Sequence, residues 1–370
     1  MTKLWWQNDC LAINEKVKRE AQDRQEILTK PPGSLGRLED VAIILASLYC
    51  DNKPEIKQPL ITIFAGDHGV VAQGVSAFPQ AVTVEMIRNF VNGGAAISVL
   101  ANENNASLQV VNCGTAFEID FADDYADLLD KSIAAGTADL SEVSAMTAEQ
   151  LEQALAIGQQ VVEQGKKDGI DLFIAGEMGI GNTTPAAALG CAYINPSENH
   201  EAINVADMTG RGTGIDDTAW ANKVRVIEKA LARLDVKALS PQEILQELGG
   251  FEIAAIAGAY IRCGQLGIPV LVDGFITTAA ALAACKMNPQ VKDWLLFSHQ
   301  SEEQGHQLML AALNARPLVQ LGLRLGEGSG AATVLPLLRQ ACALHNKMAT
   351  FSEAAISSSD AEAAAKNQVD

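Results

Sequence analysis

Runs of consecutive apolar residues recur along this chain, and each is closed by a glycine-rich polar island that opens into a stretch of helical spacing. The apolar runs are Leu60-Ile61-Thr62-Ile63-Phe64-Ala65, residues 108–113, residues 170–175, residues 268–273 and residues 294–298. Each is the length of a strand. Helices are expected over 82–90, 95–101, 146–166, 184–190, 220–233, 241–248, 251–263, 277–285 and 303–314, with a long Ala-rich one from about Ala331. The strand candidates are continuously apolar rather than alternating, the pattern of a parallel sheet covered on both faces. Repetition of strand, glycine turn and helix predicts an α/β fold.

The chain ends read differently. Residues 14–25 and 38–49 predict peripheral helices separated by Pro31-Pro32-Gly33, and Pro54 and Pro59 mark a linker. The expected division is a small helical domain from residues 1–59 with about 340–370, and a large α/β domain from residues 60–339. Residues 118–144 are polar and irregular, as a surface or site cover would be. The tail after Thr350 is rich in Ser, Ala and Glu and reads as a short helix or a disordered end.

In a parallel sheet, functional groups gather at the carboxyl ends of the strands. The polar islands fall there: Gly66-Asp67-His68-Gly69, Gly176-Glu177-Met178-Gly179-Ile180-Gly181-Asn182-Thr183-Thr184, Asp273-Gly274-Phe275 and Leu325-Gly326-Glu327-Gly328-Ser329-Gly330. Glycine lets backbone approach a ligand and tolerates positive φ. The 176–184 island precedes a helix and suits an amide nest for an anion, with Thr hydroxyls beside it. It is not a P-loop, because no Gly-Lys-Ser/Thr closes it. Equally, it reads as a tight strand-to-helix turn. Gly210-Arg211-Gly212-Thr213-Gly214 is a second anion-loop candidate, in which Arg211 offers a bidentate phosphate contact. Asp67 and His68 suit catalysis, ribose binding or a turn cap. Glu327 suits either a general base or an acid beside a helix start, and Glu177 is its rival. His299 and His306 with Glu302 and Glu303 do not form a metal-ligand spacing, so capping and loop tethering by Ser298, His299 and Ser301 is the simpler reading.

Composition narrows the partners. A formal net charge of -18 opposes non-specific nucleic-acid binding and attachment to anionic membranes. Backbone amides bind phosphate locally whatever the global charge. The seven cysteines show no CxxC, which suits buried thiols in a reducing compartment. The N-terminus lacks a continuous apolar signal core, and the run 277–285 is too short for a membrane span. A cytoplasmic location is expected.

Taken in order, these islands resemble the nicotinate-nucleotide:dimethylbenzimidazole phosphoribosyltransferases. The matching segments are Pro31-Pro32-Gly33-Ser34-Leu35-Gly36-Arg37-Leu38-Glu39, Gly66 to Val70, Phe78-Pro79-Gln80 with Val82-Thr83, and Asn92-Gly93-Gly94-Ala95-Ala96. They continue with 176–184, 210–217, 273–275, Ser298-His299 with Glu302 and His306, and 325–330. Val111-Asn112-Cys113-Gly114 departs from the pattern, since an acid is expected at Asn112.

The resemblance implies a Rossmann-like, mainly parallel sheet domain, a smaller helical domain from both termini, and a homodimer. It implies transfer of the 5-phosphoribosyl group from nicotinate mononucleotide to 5,6-dimethylbenzimidazole, with no cofactor and no metal. Glu327 takes the place of the general base, and Glu177 is the acid expected to favour a developing oxocarbenium. Phe78, Gln80, Met178 and Leu325 are expected around the acceptor. Gly179, Gly181, Asn182, Thr183, Gly210, Gly212, Lys223 and Ser301 are expected around phosphate or ribose, and Asp273 on the ribose or ordering its loop. Two other classes fit parts of the pattern: a nucleotide sensor, which needs no acid at Glu327, and a phosphatase or kinase, opposed by the missing phosphate-loop lysine and two-metal carboxylate cluster.

Overall fold

The structure, a computed structural model, describes residues 4–119, 125–194, 203–212 and 214–357. Thr213, part of the polar 118–144 segment and most of the tail after Thr350 lie outside the described residues. The chain divides into two units. One holds residues 58–334 together with the segment up to Leu11, and the other holds residues 12–57 and the residues from Leu335 on.

The smaller unit is helical. Helix α1 (Glu15–Ile27) starts where the Asn14 side chain accepts from the amides of Lys16 and Val17, both at 3.1 Å. Helix α2 (Arg37–Tyr49) starts at the Pro31–Glu39 motif. There Glu39 accepts from the Leu35 amide at 2.9 Å and pairs with the buried Lys30 at 2.9 Å. That motif therefore braces a helix start. Arg24 Nε donates to the His345 carbonyl at 2.7 Å, joining the two stretches of chain that build this unit.

The boundary at the N-terminus differs from expectation, because residues 4–11 group with the large unit. Trp6 is buried there. Asn288 Nδ2 donates to the carbonyls of Trp6 (3.1 Å) and Asn8 (2.9 Å), and the Leu11 amide donates to Gly264 O at 3.0 Å. Trp5-Trp6 adds a large apolar area that is stable only against a core.

The large unit follows the order β1 (Pro59–Gly66), α3 (Ala81–Val91), α4 (Ala96–Glu103), β2 (Ser107–Gly114), β3 (Leu128–Asp130), α5 (Ala148–Lys167) and β4 (Leu172–Met178). It continues with α6 (Thr183–Ile194), α7 (Val205–Met208), α8 (Asp217–Ala232), α9 (Pro241–Leu248), α10 (Phe251–Leu266) and β5 (Val270–Val272). Last come α11 (Phe275–Met287), β6 (Leu295–Phe297), α12 (His306–Ala312) and the start of α13 (Ser329–Lys347), whose residues from Leu335 on belong to the smaller unit. Among the described residues, all six strands pair in parallel, in the order β3-β2-β1-β4-β5-β6.

Every residue of β1 is buried, which explains its unbroken apolar sequence. Leu60 and Phe64 join the cluster formed with α5 and α10, while Ile61 and Ile63 alternate to the other face. The expected five strands are present, and β3 is a sixth within the polar stretch. It is three residues long, half-exposed and paired on one side only, so it carries no apolar run. Asn112, where an acid was expected, donates to Asp130 Oδ1 of β3 at 3.0 Å. The strand order reverses direction between β1 and β4, and the crevice at their carboxyl ends is the natural ligand position in such a sheet.

Candidate active site

A cavity of about 460 Å³ opens at these carboxyl ends. Its walls come from the segments after β1, β4, β5 and β6, from the loop between α7 and α8, and from residues 324–327. Separate pieces of chain thus meet, each delivered by a strand end or by the loop before a helix.

Glu327 is presented by backbone that ordinary residues avoid. Gly326, Glu327 and Gly328 have φ of 87°, 64° and 84°. A non-glycine residue in that region costs about 1–3 kcal/mol and persists only where neighbours impose it. Here three contacts do so. The Glu327 amide donates to the Glu177 carboxylate, and Asp273 accepts from the amides of Gly328 (3.2 Å) and Ala331 (2.8 Å). Gly176 lets the loop lie against β4: a Cβ there would stand 2.2 Å from the Glu327 carbonyl oxygen. Glu327 lines the cavity, and its carboxylate accepts from the Ile97 amide in the first turn of α4, which accounts for the Asn92–Ala96 motif before that helix. Its Oε2 is buried with no partner among the described residues. Burial pushes this carboxyl up to about 7, opposed by the Ile97 hydrogen bond.

Two more acids stand behind it. Burial pushes Glu177 up to about 8, against the hydrogen bond from Asn182 Nδ2. Burial also holds Asp273 up at about 6, against four backbone amides. Ser298 Oγ donates to Asp273 O at 3.2 Å and accepts from His299 Nδ1 at 3.0 Å. Burial lowers His299 to about 4 and His306 to about 3, so both imidazoles are neutral at pH 7. The Ser301 amide donates to His306 Nδ1 at 2.8 Å, which leaves the Nε2 proton for Thr278 Oγ1 at 2.9 Å. The 298–306 segment is tethered as expected.

The far end of the cavity is cationic. Lys223, 1% exposed, donates to Thr183 Oγ1 at 2.7 Å and to Gly210 O at 3.3 Å. Burial lowers it to about 8, so the ammonium form prevails at pH 7. Gly212, Ser301, Arg211, Glu303 and Arg324 line the same end. The walls between the two ends are apolar: Val75, Phe78, Val82, Met86, Met178 and Leu325. Such a cavity suits a planar apolar ring beside an acid, with an anionic group at the lysine.

The sequence matches a family model described as "Phosphoribosyltransferase" over residues 10–356. A protein of Pseudomonas aeruginosa (strain UCBPP-PA14), named nicotinate-nucleotide–dimethylbenzimidazole phosphoribosyltransferase, is 53% identical over 357 residues, 96% of this chain and 99% of that protein. The chain belongs to the nicotinate-nucleotide–dimethylbenzimidazole phosphoribosyltransferase family. A relative of the same name from Xanthomonas euvesicatoria pv. vesicatoria (strain 85-10) is also 53% identical, over 96% of this chain and 99% of that protein. A crystal structure of the enzyme of that name from Thermus thermophilus superposes with a TM-score of 0.86 at 41% identity, covering 94% of this chain and all of that one.

Within this phosphoribosyltransferase fold, most residues singled out from the sequence reach the cavity. Glu327, Glu177, Phe78, Met178, Leu325, Gly179, Gly181, Asn182, Thr183, Gly212, Lys223, Asp273 and Ser301 all line it. Gln80 and Gly210 do not. Gln80 Nε2 donates to the His68 carbonyl at 3.2 Å, and Gly210 backs the site, its carbonyl accepting from Lys223 and its Cα packed against Glu303. Asp273 orders the Glu327 loop, the second of its two expected roles. Asp67 and His68 are fully buried and absent from the lining. Asp67 accepts from Thr83 Oγ1 (2.7 Å) and the Ala116 amide (2.9 Å), and His68 pairs with Glu252 at 2.8 Å. The turn-cap reading of that motif fits these contacts. Sequence reasoning left out Arg324 and Glu303. Arg324 had one signal, as the lone cation immediately before the Glu327 island.

Proposed function

We propose that this chain transfers the 5-phosphoribosyl group of nicotinate mononucleotide to 5,6-dimethylbenzimidazole, giving nicotinate and α-ribazole 5'-phosphate for the lower ligand of cobalamin. The observation that carries the reading is the buried Glu327, which lines the cavity beside apolar walls and keeps one carboxylate oxygen unpartnered among the described residues. An azole that attacks through one ring nitrogen becomes acidic at its other N–H, and a carboxylate near pH 7 in strength suits that proton. One acceptor nitrogen bonds to C1' as the bond from C1' to the pyridinium nitrogen breaks. The electron pair stays with nicotinate, which leaves with a neutral ring and needs no acid. Attack from the opposite face converts the β-nucleotide to the α-product in a single displacement.

The acceptor lies against Phe78, Met178 and Leu325, with Val82 and Met86 completing the apolar wall. The phosphate goes to Lys223, Thr183, Gly212 and Ser301, with the Gly179–Gly181 turn beside it. Burial keeps Glu177 mostly neutral at pH 7. A pyridinium beside it favours its ionised form, and the resulting carboxylate faces the charge that develops at C1'. The reading includes a homodimer, which suits the exposed Phe78, Leu321 and Leu325. It also includes a cytoplasmic location, which suits seven thiols outside disulfides. Among the described residues no helix is long and apolar enough to cross a membrane.

Purified protein incubated with both substrates and no added metal is expected to release nicotinate and α-ribazole 5'-phosphate, read by chromatography. Absence of nicotinate release would sink the reading. The pH profile gives a second test. Glu327 must be ionised to accept a proton, and its carboxyl is held up at about 7. The value of kcat/KM is therefore expected to fall as pH drops through about 7. A profile that stays flat to about pH 5 would match an ordinary exposed carboxylate instead.

A further inference from the structure

The buried Lys223 ammonium needs a counter-charge, since its two hydrogen-bond partners, Thr183 Oγ1 and Gly210 O, are neutral. Glu303 supplies it. This carboxylate lines the same end of the cavity, attracts Lys223 and Arg324, and accepts from the Gly212 amide. Its Oε2 is buried without a hydrogen-bond partner among the described residues. The chain makes room for it: a Cβ on Gly210 would lie 1.8 Å from that oxygen. The Glu303 amide donates to Ser301 Oγ at 3.2 Å, which fixes the start of the side chain.

We infer that the Glu303 carboxylate is an internal counter-anion on the phosphate seat, and that the nucleotide's phosphate displaces it from Lys223 and the Gly212 amide on binding. The inference rests on the phosphate placement proposed above. The groups that face Glu303 are Lys223 from α8, Arg324 from the loop before Glu327, the Gly212 amide, and Ser301 on its own segment. A phosphate dianion calls on the same donors and is repelled by a carboxylate that lines the same end. Part of its binding energy therefore goes into moving Glu303. A nucleoside without phosphate brings no charge to do so and leaves Lys223 engaged. The competition therefore weakens binding of the phosphate and leaves binding of a nucleoside unchanged.

Calorimetric titration of the full chain with inorganic phosphate tests this. Glu303→Gln, of the same size and uncharged, is expected to bind phosphate about ten-fold more tightly than the unsubstituted protein. Its KM for nicotinate mononucleotide should fall while its KM for dimethylbenzimidazole stays put. Affinity for nicotinate riboside should not improve. Glu303→Ala should move phosphate affinity in the same direction, which separates loss of charge from any new contact made by the amide. Unchanged or weaker phosphate binding in both variants would overturn the inference and make Glu303 a ligand-holding group. If Lys223→Met leaves phosphate binding intact, the phosphate placement itself is wrong and the inference falls with it.

Discussion

Glu327→Gln is expected to lower turnover by about 10²–10⁴, the range associated with general acid–base catalysis, while affinity for nicotinate mononucleotide is retained. The substitution keeps the shape and the Ile97 amide contact and removes only the basicity. Steady-state kinetics with a separate binding titration checks it. A sensor that merely holds the nucleotide would not respond, so wild-type turnover in this variant would remove Glu327 from its role. Loss of binding together with turnover would instead make it a structural acid.

Gly176→Ala is expected to lose about 10²-fold in kcat, the scale set by a displacement near 1 Å of a reacting group. It does so without touching any polar side chain of the cavity. The new methyl would meet the Glu327 carbonyl oxygen at 2.2 Å and its carbon at 2.6 Å. Strand β4 cannot give way, because Gly176 pairs in register with Ile63 of the central strand β1. The loop must move, and Glu327 moves with it. Kinetics and a thermal melt together decide the case. Full activity would show that the close approach of loop to strand does not set the position of the base.

Much of this was legible in the sequence, and the reason is local. Strands β1, β2, β4, β5 and β6 are largely buried, so their apolar runs stand out against polar flanks. The glycine islands were legible because close backbone approach leaves its mark on composition, as at 176–184 and 326–330. Strand β3 was not, since an edge strand of three half-exposed residues needs no apolar run. Gln80 and Gly210 were drawn into the site because they adjoin residues that belong there. A small change in direction separates lining a cavity from backing it, and no local pattern records that direction. Glu303 escaped for the converse reason. It meets Lys223 only because α8 and the 298–306 segment converge in space, although they lie far apart along the chain. The neutral state of Glu177 at pH 7 was equally hidden, because desolvation belongs to the packed structure and not to the residue type.

The three acids around the 326–328 loop have a consequence for the whole molecule. Glu177, Glu327 and Asp273 are held up at about 8, 7 and 6, against ordinary carboxyl values near 4. The native chain therefore binds more protons than the unfolded chain between those limits, and stability falls as pH rises across that window. The buried neutral His299 and His306 act in the opposite sense, but only below about pH 6.5, where the unfolded imidazoles begin to charge. Lys223, lowered by burial to about 8, opposes them from about that pH upward, so the carboxyls dominate between about pH 6.5 and 7.5. Calorimetry should find the melting temperature rising as the buffer is acidified from about pH 7.5 to about pH 6.5, and heat effects that vary with the ionisation enthalpy of the buffer. A melting temperature that is flat or falls over that range would mean these acids are already ionised in the native protein. The Glu327 loop is in this sense a proton reservoir: folding fills it, and a cationic substrate drains it.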